Sequence, residues 1–258
     1  VAKGSGNEVT LHTVSAWVKE DRITLGQLQV EEKSNEITAI PALLDRLDVG
    51  GAVVSGDAMV CQKEIARKIR ERDAQYVLAL KGNHPTLHEE VSEYFRWALE
   101  DPIERQRIDV HRETEQGHGR ITTWTTHVTT EIDWYEGRRD WEGLRSFVMV
   151  NRKRWVKGAY TEETSYYISS LEASAEQCGR YVRGHWSIEN QLHWVMDVVF
   201  REDASLIHEG NAPQNLSLLR KMSLALLKKD TEHRRSLKTK RKMAGWDNGY
   251  AMSLLSGL

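Results

Sequence analysis

The chain has 258 residues, which suffice for one large domain or for one domain with an insertion. Its composition, 40% hydrophobic and 29% charged, is typical of a soluble globular protein, and the lack of any run of about 18 apolar residues excludes a transmembrane helix. The net charge of −2 argues against a uniformly basic nucleic-acid-binding protein. No signal-peptide core is present and Cys61 and Cys178 lie far apart, so we expect a cytoplasmic protein with two free thiols.

The first hundred residues alternate between strand and helix patterns. Strands are predicted at 10–19, 23–31, 51–55 and 75–80, and helices at 37–47, 62–72 and 86–99. Asn35 is the expected N-cap of the first helix. Two adjacent strand–helix crossovers require a parallel segment of sheet, and the initial hairpin is expected to supply antiparallel neighbours. The prediction is an α/β fold, with helices on the faces of a mixed sheet.

Helical periodicity disappears after residue 104 and returns near residue 173. The predicted organisation is a first part of the α/β core at 1–104, a β-rich insertion at 105–172, core helices within 173–230 and a basic, mobile tail at 231–258. The two late helices are expected at about 175–200 and at 213–229. The tail prediction follows from weak periodicity and from ten Lys or Arg residues between positions 220 and 242.

The first late helix carries a stripe of ionisable side chains. Its members recur every four residues and are His185, Glu189, His193 and Asp197. Trp186 and Trp194 flank the stripe, and Ile188 and Leu192 add apolar surface. This pattern predicts a half-buried face, on which carboxylates need a partner such as a metal ion or a base.

Asp57 follows the short apolar strand predicted at 51–55, at the edge where open α/β sheets place their sites. It could equally be a turn or helix-cap residue. If the later helix packs nearby, Asp57 and Glu189 could share Mg²⁺ or Mn²⁺, which prefer hard oxygen ligands. Glu189 could instead be a surface partner in an i,i+4 pair. Zinc held by His185 and His193 is a further alternative, although the spacing is not that of the zincin motif.

Two loops and one basic cluster are candidate phosphate contacts. The loops are GHGR at 117–120, with His118 and Arg120, and KGNH at 81–84, with Lys81 and Asn83. The cluster consists of Arg152, Lys153 and Arg154 beside Trp155. A plain hairpin turn explains the first loop equally simply, and basic runs are often solvated surface.

Five long motifs resemble one known family. They are VSGDAMVCQKEIARKI at 54–69, YVLALKGNHPTLHEEV at 76–91, GHGRITT at 117–123, YYISSL at 166–171 and RGHWSIENQLHWVMDVVFRED at 183–203. The chain resembles the transposases of H-repeat-type insertion sequences from about residue 10 to about residue 229. These are DDE transposases, in which a ribonuclease H-like core is interrupted by a β-rich insertion.

The resemblance implies metal-dependent DNA strand cleavage and strand transfer with Mg²⁺ or Mn²⁺. Asp57 matches the second catalytic Asp and Glu189 the catalytic Glu, and both would be metal ligands. Residues of the motif around Glu189 would contact DNA or support the site; these are Arg183, His185, Asn190 and His193. The implied partners are terminal-repeat and target DNA and further copies of the chain, in the bacterial nucleoid and not at a membrane.

Two departures from the family pattern alter this expectation. The family's first Asp lies in a D-G-K-type motif that would precede residues 3–6, and related transposases carry Arg where this chain has His185. We therefore expect an N-terminally truncated domain with weak or no activity, since each lost ligand weakens a hard-cation site. The alternatives are a non-catalytic DNA-binding remnant of a mobile element and a ribonuclease H-like nuclease.

Overall fold

The computed structural model describes residues 12–30, 36–117, 119–207 and 209–256. They fall into two compact units. One unit is Asp48–His185, and the other combines Val1–Leu47 with Trp186–Leu258. The predicted N-cap Asn35 and the predicted DNA contact His118 lie outside the described residues.

The unit Asp48–His185 is organised by a six-stranded mixed sheet. Its strands are β3 (Val53–Gly56), β4 (Gln75–Leu80), β5 (Asp109–Gly117), β6 (Arg120–Thr129), β7 (Ser146–Val156) and β8 (Ala159–Ser169). The strand order is β3-β4-β8-β7-β6-β5. Only β3 and β4 run parallel to each other, and every other neighbouring pair is antiparallel. The predicted α/β class with a mixed sheet is confirmed.

Strand β4 lies in the centre of the apolar core. Its residues from Tyr76 to Leu80 are all buried, which requires cover on both faces of the sheet. The helices that follow β3 and β4 are α2 (Lys63–Glu71) and α3 (Pro85–Glu100). Their apolar residues recur at helical spacing and are buried, among them Ile65 and Ile69 of α2 and Leu87, Val91 and Phe95 of α3.

The segment predicted as a β-rich insertion continues the sheet of β3 and β4. Strand β8 pairs directly with β4, with Val77 opposite Ser169 and Leu80 opposite Tyr166. The initial hairpin, β1 (His12–Val18) and β2 (Ile23–Val30), forms a separate two-stranded sheet among the described residues. The prediction that this hairpin supplies the antiparallel neighbours is wrong, because β8 occupies the position beside β4.

The second unit combines this hairpin with helices. Helix α1 (Glu36–Asp45) packs on it, and Gly26 leaves room on β2 for Leu43 and Leu47. Within this unit a helical segment runs from Trp186 to Phe200, and α5 (Ala212–Lys229) follows. The core of this unit contains Leu192, Val195, Met196, Val199 and Leu224. Within the described ranges, no helix is both long and apolar enough to cross a bilayer.

The C-terminal residues form two further helices, so the prediction of a mobile tail is wrong. These are α6 (Leu237–Trp246) and α7 (Asn248–Ser256). Both are tied to the buried carboxylate of Asp230, which accepts a hydrogen bond from Tyr250 Oη at 2.7 Å and lies 3.2 Å from Lys240 Nζ. Burial alone would raise the pKa of Asp230, but hydrogen bonds from Tyr250 and His233 and the Lys240 ammonium hold it well below its usual range. Long-range pairing of this kind leaves no periodic signal in the sequence.

Replacing Asp230 with Ala is expected to lower the free energy of unfolding by about 3 kcal/mol, because the buried Lys240 ammonium would lose its carboxylate and keep only backbone carbonyls as partners. Helices α6 and α7 should lose most of their protection in amide hydrogen exchange. Because the pKa of Asp230 is depressed in the folded state, its contribution is present above about pH 4 and is lost as the pH falls further. The exposed neighbour Glu232 provides the control, since Glu232→Ala should leave that protection unchanged.

Candidate active site

Asp57 follows β3 directly, at the carboxyl edge of the parallel pair. Its side chain is exposed, and Oδ1 accepts hydrogen bonds from the backbone N–H groups of Met59, at 3.0 Å, and Val60, at 3.4 Å. Oδ2 accepts none from the described residues. Asp57 therefore acts as a turn residue through one oxygen and leaves the other for a further ligand. The two interpretations of Asp57 that the sequence left open are compatible.

The loop after β4, residues 81–84, lies at the same edge because β3 and β4 are parallel. Lys81 is exposed there. Asn83 Nδ2 donates to the carbonyl oxygens of Ala58, at 2.6 Å, and Cys61, at 3.2 Å. The amide of Asn83 thus binds the turn that begins with Asp57. Whether Asn83 also contacts DNA stays a prediction.

Helix α4 (Ala175–Ile188) is held against the β5–β6 end of the sheet. The first backbone N–H of the helix, from Ala175, donates to Asp109 Oδ2 on β5 at 2.6 Å. One turn further along, Gly179 lies so close to Thr126 of β6 that a Cβ atom would stand 2.7 Å from Thr126 Oγ1. A bulkier residue at position 179 would therefore push the helix away from the sheet.

Arg183 of α4 is part of this attachment. Its guanidinium pairs with Glu113, lies 3.5 Å from Glu115 and sits 5.6 Å from the ring centroid of Trp124. The hydrogen bond from Arg183 lowers the pKa of Glu113. The sequence marked Arg183 as a possible DNA contact, and that role stays a prediction. Its partners on β5 and β6 are about 60 to 70 positions away in sequence, so no local pattern revealed them.

His185 lies near the other edge of the same sheet. Its Nδ1 is 3.5 Å from Ser55 Oγ on β3. Ser55 precedes Asp57 by two residues, and His185 precedes Glu189 by four. Ser55 lies within the motif at 54–69, but nothing in the sequence distinguishes its hydroxyl from that of any other serine on a strand.

Glu189 begins a π-helical segment, Glu189–His193, and a second one follows at Met196–Phe200. The side chains of Glu189, Asn190, His193 and Asp197 are exposed. The prediction of a half-buried carboxylate stripe is therefore wrong. The core of this segment is formed by Leu192 and Val195, which face away from the stripe. Single π turns inside helices are frequently found at functional sites.

Lys228 of α5 supports the π segment. Its Nζ donates to the carbonyl oxygen of Gln191 at 2.7 Å and lies 4.9 Å from the centroid of the Trp17 ring. In the π turn Trp194 N bonds to Glu189 O, five residues back, which alters the pairing of the intervening carbonyls. Burial, with added repulsion from Arg22, lowers the pKa of Lys228 to about 8.

Comparison with known proteins identifies the family. The sequence pattern of the family described as "Transposase DDE domain" matches residues 2–226. The chain belongs to the DDE transposase family. The resemblance seen in the motifs is thereby confirmed, and the mixed sheet flanked by helices is consistent with a ribonuclease H-like transposase domain.

Individual relatives carry names that agree with this DDE transposase assignment. YhhI of Escherichia coli strain K12, named as a candidate transposase associated with H repeats, is 34% identical over 253 residues, which are 96% of this chain and 66% of YhhI. YncI of Escherichia coli O157:H7, named as a candidate transposase, is 37% identical over 251 residues, which are 95% of this chain and 63% of YncI. The chain thus spans somewhat less than two thirds of these relatives.

The basic residues of the DDE transposase domain differ in how they are paired. Arg152 pairs with Glu163, and Lys153 Nζ lies 3.5 Å from Glu162 across the β7–β8 hairpin. Arg120 begins β6 and is exposed, while Arg154 is only partly exposed. Carboxylate partners reduce the positive potential that this cluster can offer to DNA. Its role in DNA binding stays a prediction.

The candidate ligands have the chemistry that a hard cation requires. Asp57 and Glu189 both present exposed carboxylate oxygens, the preferred donors for Mg²⁺ and Mn²⁺. Mg²⁺ is commonly bound through only one or two protein carboxylates, with water and substrate phosphates completing its shell. No group of three or more His, Cys, Asp or Glu side chains within the described ranges could by itself hold a metal ion. The thiols of Cys61 and Cys178 are free and buried, and burial raises the pKa of each to about 12.

Lys228→Met tests the support of the π segment through pH dependence. Because the pKa of Lys228 is lower in the folded than in the unfolded state, the free energy of unfolding should rise as the pH increases from about 8 to about 10. The variant should lose about 1–2 kcal/mol of that rise, after allowance for solvent screening. Urea unfolding across this pH range measures the effect. Lys229→Met, which alters the exposed neighbour, should keep the wild-type rise.

Proposed function

We propose that this domain catalyses metal-dependent DNA strand cleavage and strand transfer, with Asp57 and Glu189 as metal ligands. Membership of the DDE transposase family supports the transposase activity. The DDE pattern implies a third acidic ligand in addition to these two residues. We infer that the protein acts on DNA of the bacterial nucleoid as an oligomer.

One observation places His185, four residues before Glu189, beside the strand that leads to Asp57. The 3.5 Å approach of His185 Nδ1 to Ser55 Oγ connects two short segments of the chain. The strand that contains Ser55 reaches Asp57 after two more residues, and the helix that contains His185 reaches Glu189 after one helical turn. The family pattern, in which both acidic residues bind metal, supports the proposed assignment of Asp57 and Glu189 to a common metal site.

The chain's own residues would hold and orient the reactants. Asp57 Oδ1 is fixed by two backbone N–H groups, so Oδ2 is the oxygen available to a cation. Exposure of Glu189 on the π segment supports access for both a metal ion and a phosphate. A bound divalent ion would lower the pKa of a water molecule or DNA hydroxyl and stabilise the leaving oxygen. Lys81, at the same sheet edge as Asp57, could hold a DNA phosphate as a point charge.

The proposal is tested by an assay of strand cleavage and strand joining. The assay uses the full-length protein, Mg²⁺ and DNA that carries the element's ends. Asp57→Asn and Glu189→Gln keep side-chain shape but each removes a ligand charge, so each should reduce cleavage about 100-fold or more. Mn²⁺ should partly replace Mg²⁺, and a chelator should abolish the reaction.

Two variants control for loss of negative charge alone. Glu93→Gln on α3 and Asp73→Asn before β4 make the same charge changes at other exposed positions and should cleave like the wild type. Full activity in Asp57→Asn or in Glu189→Gln would refute the ligand assignment. Cleavage without joining would indicate a nuclease, and DNA binding without either reaction would indicate a non-catalytic remnant.

A further inference from the structure

Residues 57–61, here called the Asp57 turn, are bound from outside by two side chains of the neighbouring loop. Besides the two hydrogen bonds from Asn83 to Ala58 O and Cys61 O, the ring Nε2 of His84 lies 2.8 Å from Cys61 O. A carbonyl oxygen can only accept, so this nitrogen carries the proton. Three side-chain hydrogen bonds therefore join two loops that leave the sheet at the same edge.

Besides these bonds, the Asp57 turn is held by the buried side chain of Cys61. Its internal hydrogen bonds, from the N–H groups of Met59 and Val60 to Asp57, fix its shape but not its position. Gly56 lets the turn fold back on the end of β3, because a Cβ there would stand 2.5 Å from Val60 Cβ. The internal bonds set the carboxylate relative to the turn, and the contacts made from outside help to set the turn relative to the sheet.

His84, one of the two residues that bind the turn, stands where the chain enters α3. His84 is the N-cap residue of α3, and its side chain makes no capping bond of its own, so the ring is available to reach across. Pro85 at the start of the helix restricts the backbone at this point. The His84 ring also packs edge-on against Trp141, whose side chain is only 2% exposed, with a centroid distance of 5.1 Å.

We propose that Asn83 and His84 are positioning residues that hold the Asp57 turn and thereby orient the Asp57 carboxylate towards its metal ion. This inference rests on the proposed function, since it takes Asp57 to be a metal ligand. The motif LKGNH then has a physical role: the strand end brings the loop to the edge, and the Asn and His side chains tie it to the adjoining turn. Residues that orient metal ligands through hydrogen bonds typically contribute 10–100-fold, as an order of magnitude, to metal affinity or activity.

Two measurements on the full-length protein test this role, one with metal and one without. The first is the Mg²⁺ concentration at half-maximal strand cleavage. The second is the labelling rate of Cys61 by a thiol reagent in the absence of metal, followed by mass spectrometry. Cys61 is fully buried, and its carbonyl accepts the hydrogen bonds from both positioning residues, so loosening of the turn should expose its thiol. Cys178, buried elsewhere in the fold, is the internal reference.

His84→Ala and Asn83→Ala should each label Cys61 about tenfold faster, since a lost hydrogen bond costs roughly that factor, and each should need about 10–100-fold more Mg²⁺. His84→Gln retains a donor near the Nε2 position and should restore both values towards wild type. His88→Ala is the matched control, because this histidine lies in the first turn of α3 and contacts an aromatic ring, Tyr166, instead of the Asp57 turn.

Wild-type Cys61 labelling in both alanine variants would overturn the proposal. Faster labelling with an unchanged Mg²⁺ requirement, or failure of His84→Gln to restore function, would also overturn it, because the effect would then be general loosening of the structure. Failure of the proposed function is recognised separately, by full cleavage activity in Asp57→Asn. In that case the labelling measurement still decides whether Asn83 and His84 fix the turn.

Discussion

The parallel pairing of β3 with β4 is the constraint on which the candidate site depends. Four residue pairs, from Val53 opposite Gln75 to Gly56 opposite Leu78, set this alignment. Because the strands run in the same direction, the Asp57 turn and the 81–84 loop leave the sheet at the same edge. An antiparallel pairing would have put them at opposite ends, out of reach of the hydrogen bonds from Asn83 and His84. The full burial of β4 stabilises the pair, and with it the geometry of Asp57.

Helix α4 depends in turn on the strands that the sequence suggested were an insertion. Asp109 on β5 binds its first turn, Thr126 on β6 packs against Gly179, and the Arg183 guanidinium interacts with both strands. These contacts fix the direction in which α4 runs towards His185. The β-rich region is thus part of the sheet that carries Asp57 and part of the support for the helix that precedes Glu189.

The π segment combines an exposed acidic face with a buried apolar one. Leu192, Val195 and Met196 pack into the core with Leu224, so the backbone is held although its hydrogen bonding is irregular. Lys228 supplies a donor to the Gln191 carbonyl. Partial desolvation and the charges of Asp203 and Glu202 raise the pKa of Asp197. Such a concentration of negative charge favours a bound cation or a cationic partner.

Local patterns in the sequence determined most of the elements and their limits. Strand β4 was predicted at its observed residues, and α2 and α3 to within about one residue at each end, because hydrophobic spacing reports which face of an element is buried. The position of Asp57 at a strand end and the family motifs around Asp57 and Glu189 were also evident. What spacing alone does not contain is the choice of partner. Tertiary packing alone decided three features, because each depends on distant groups competing for the same neighbour. Strand β8 rather than the hairpin lies beside β4, Asp230 orders the C-terminal helices, and Asn83 binds a carbonyl 22 positions away.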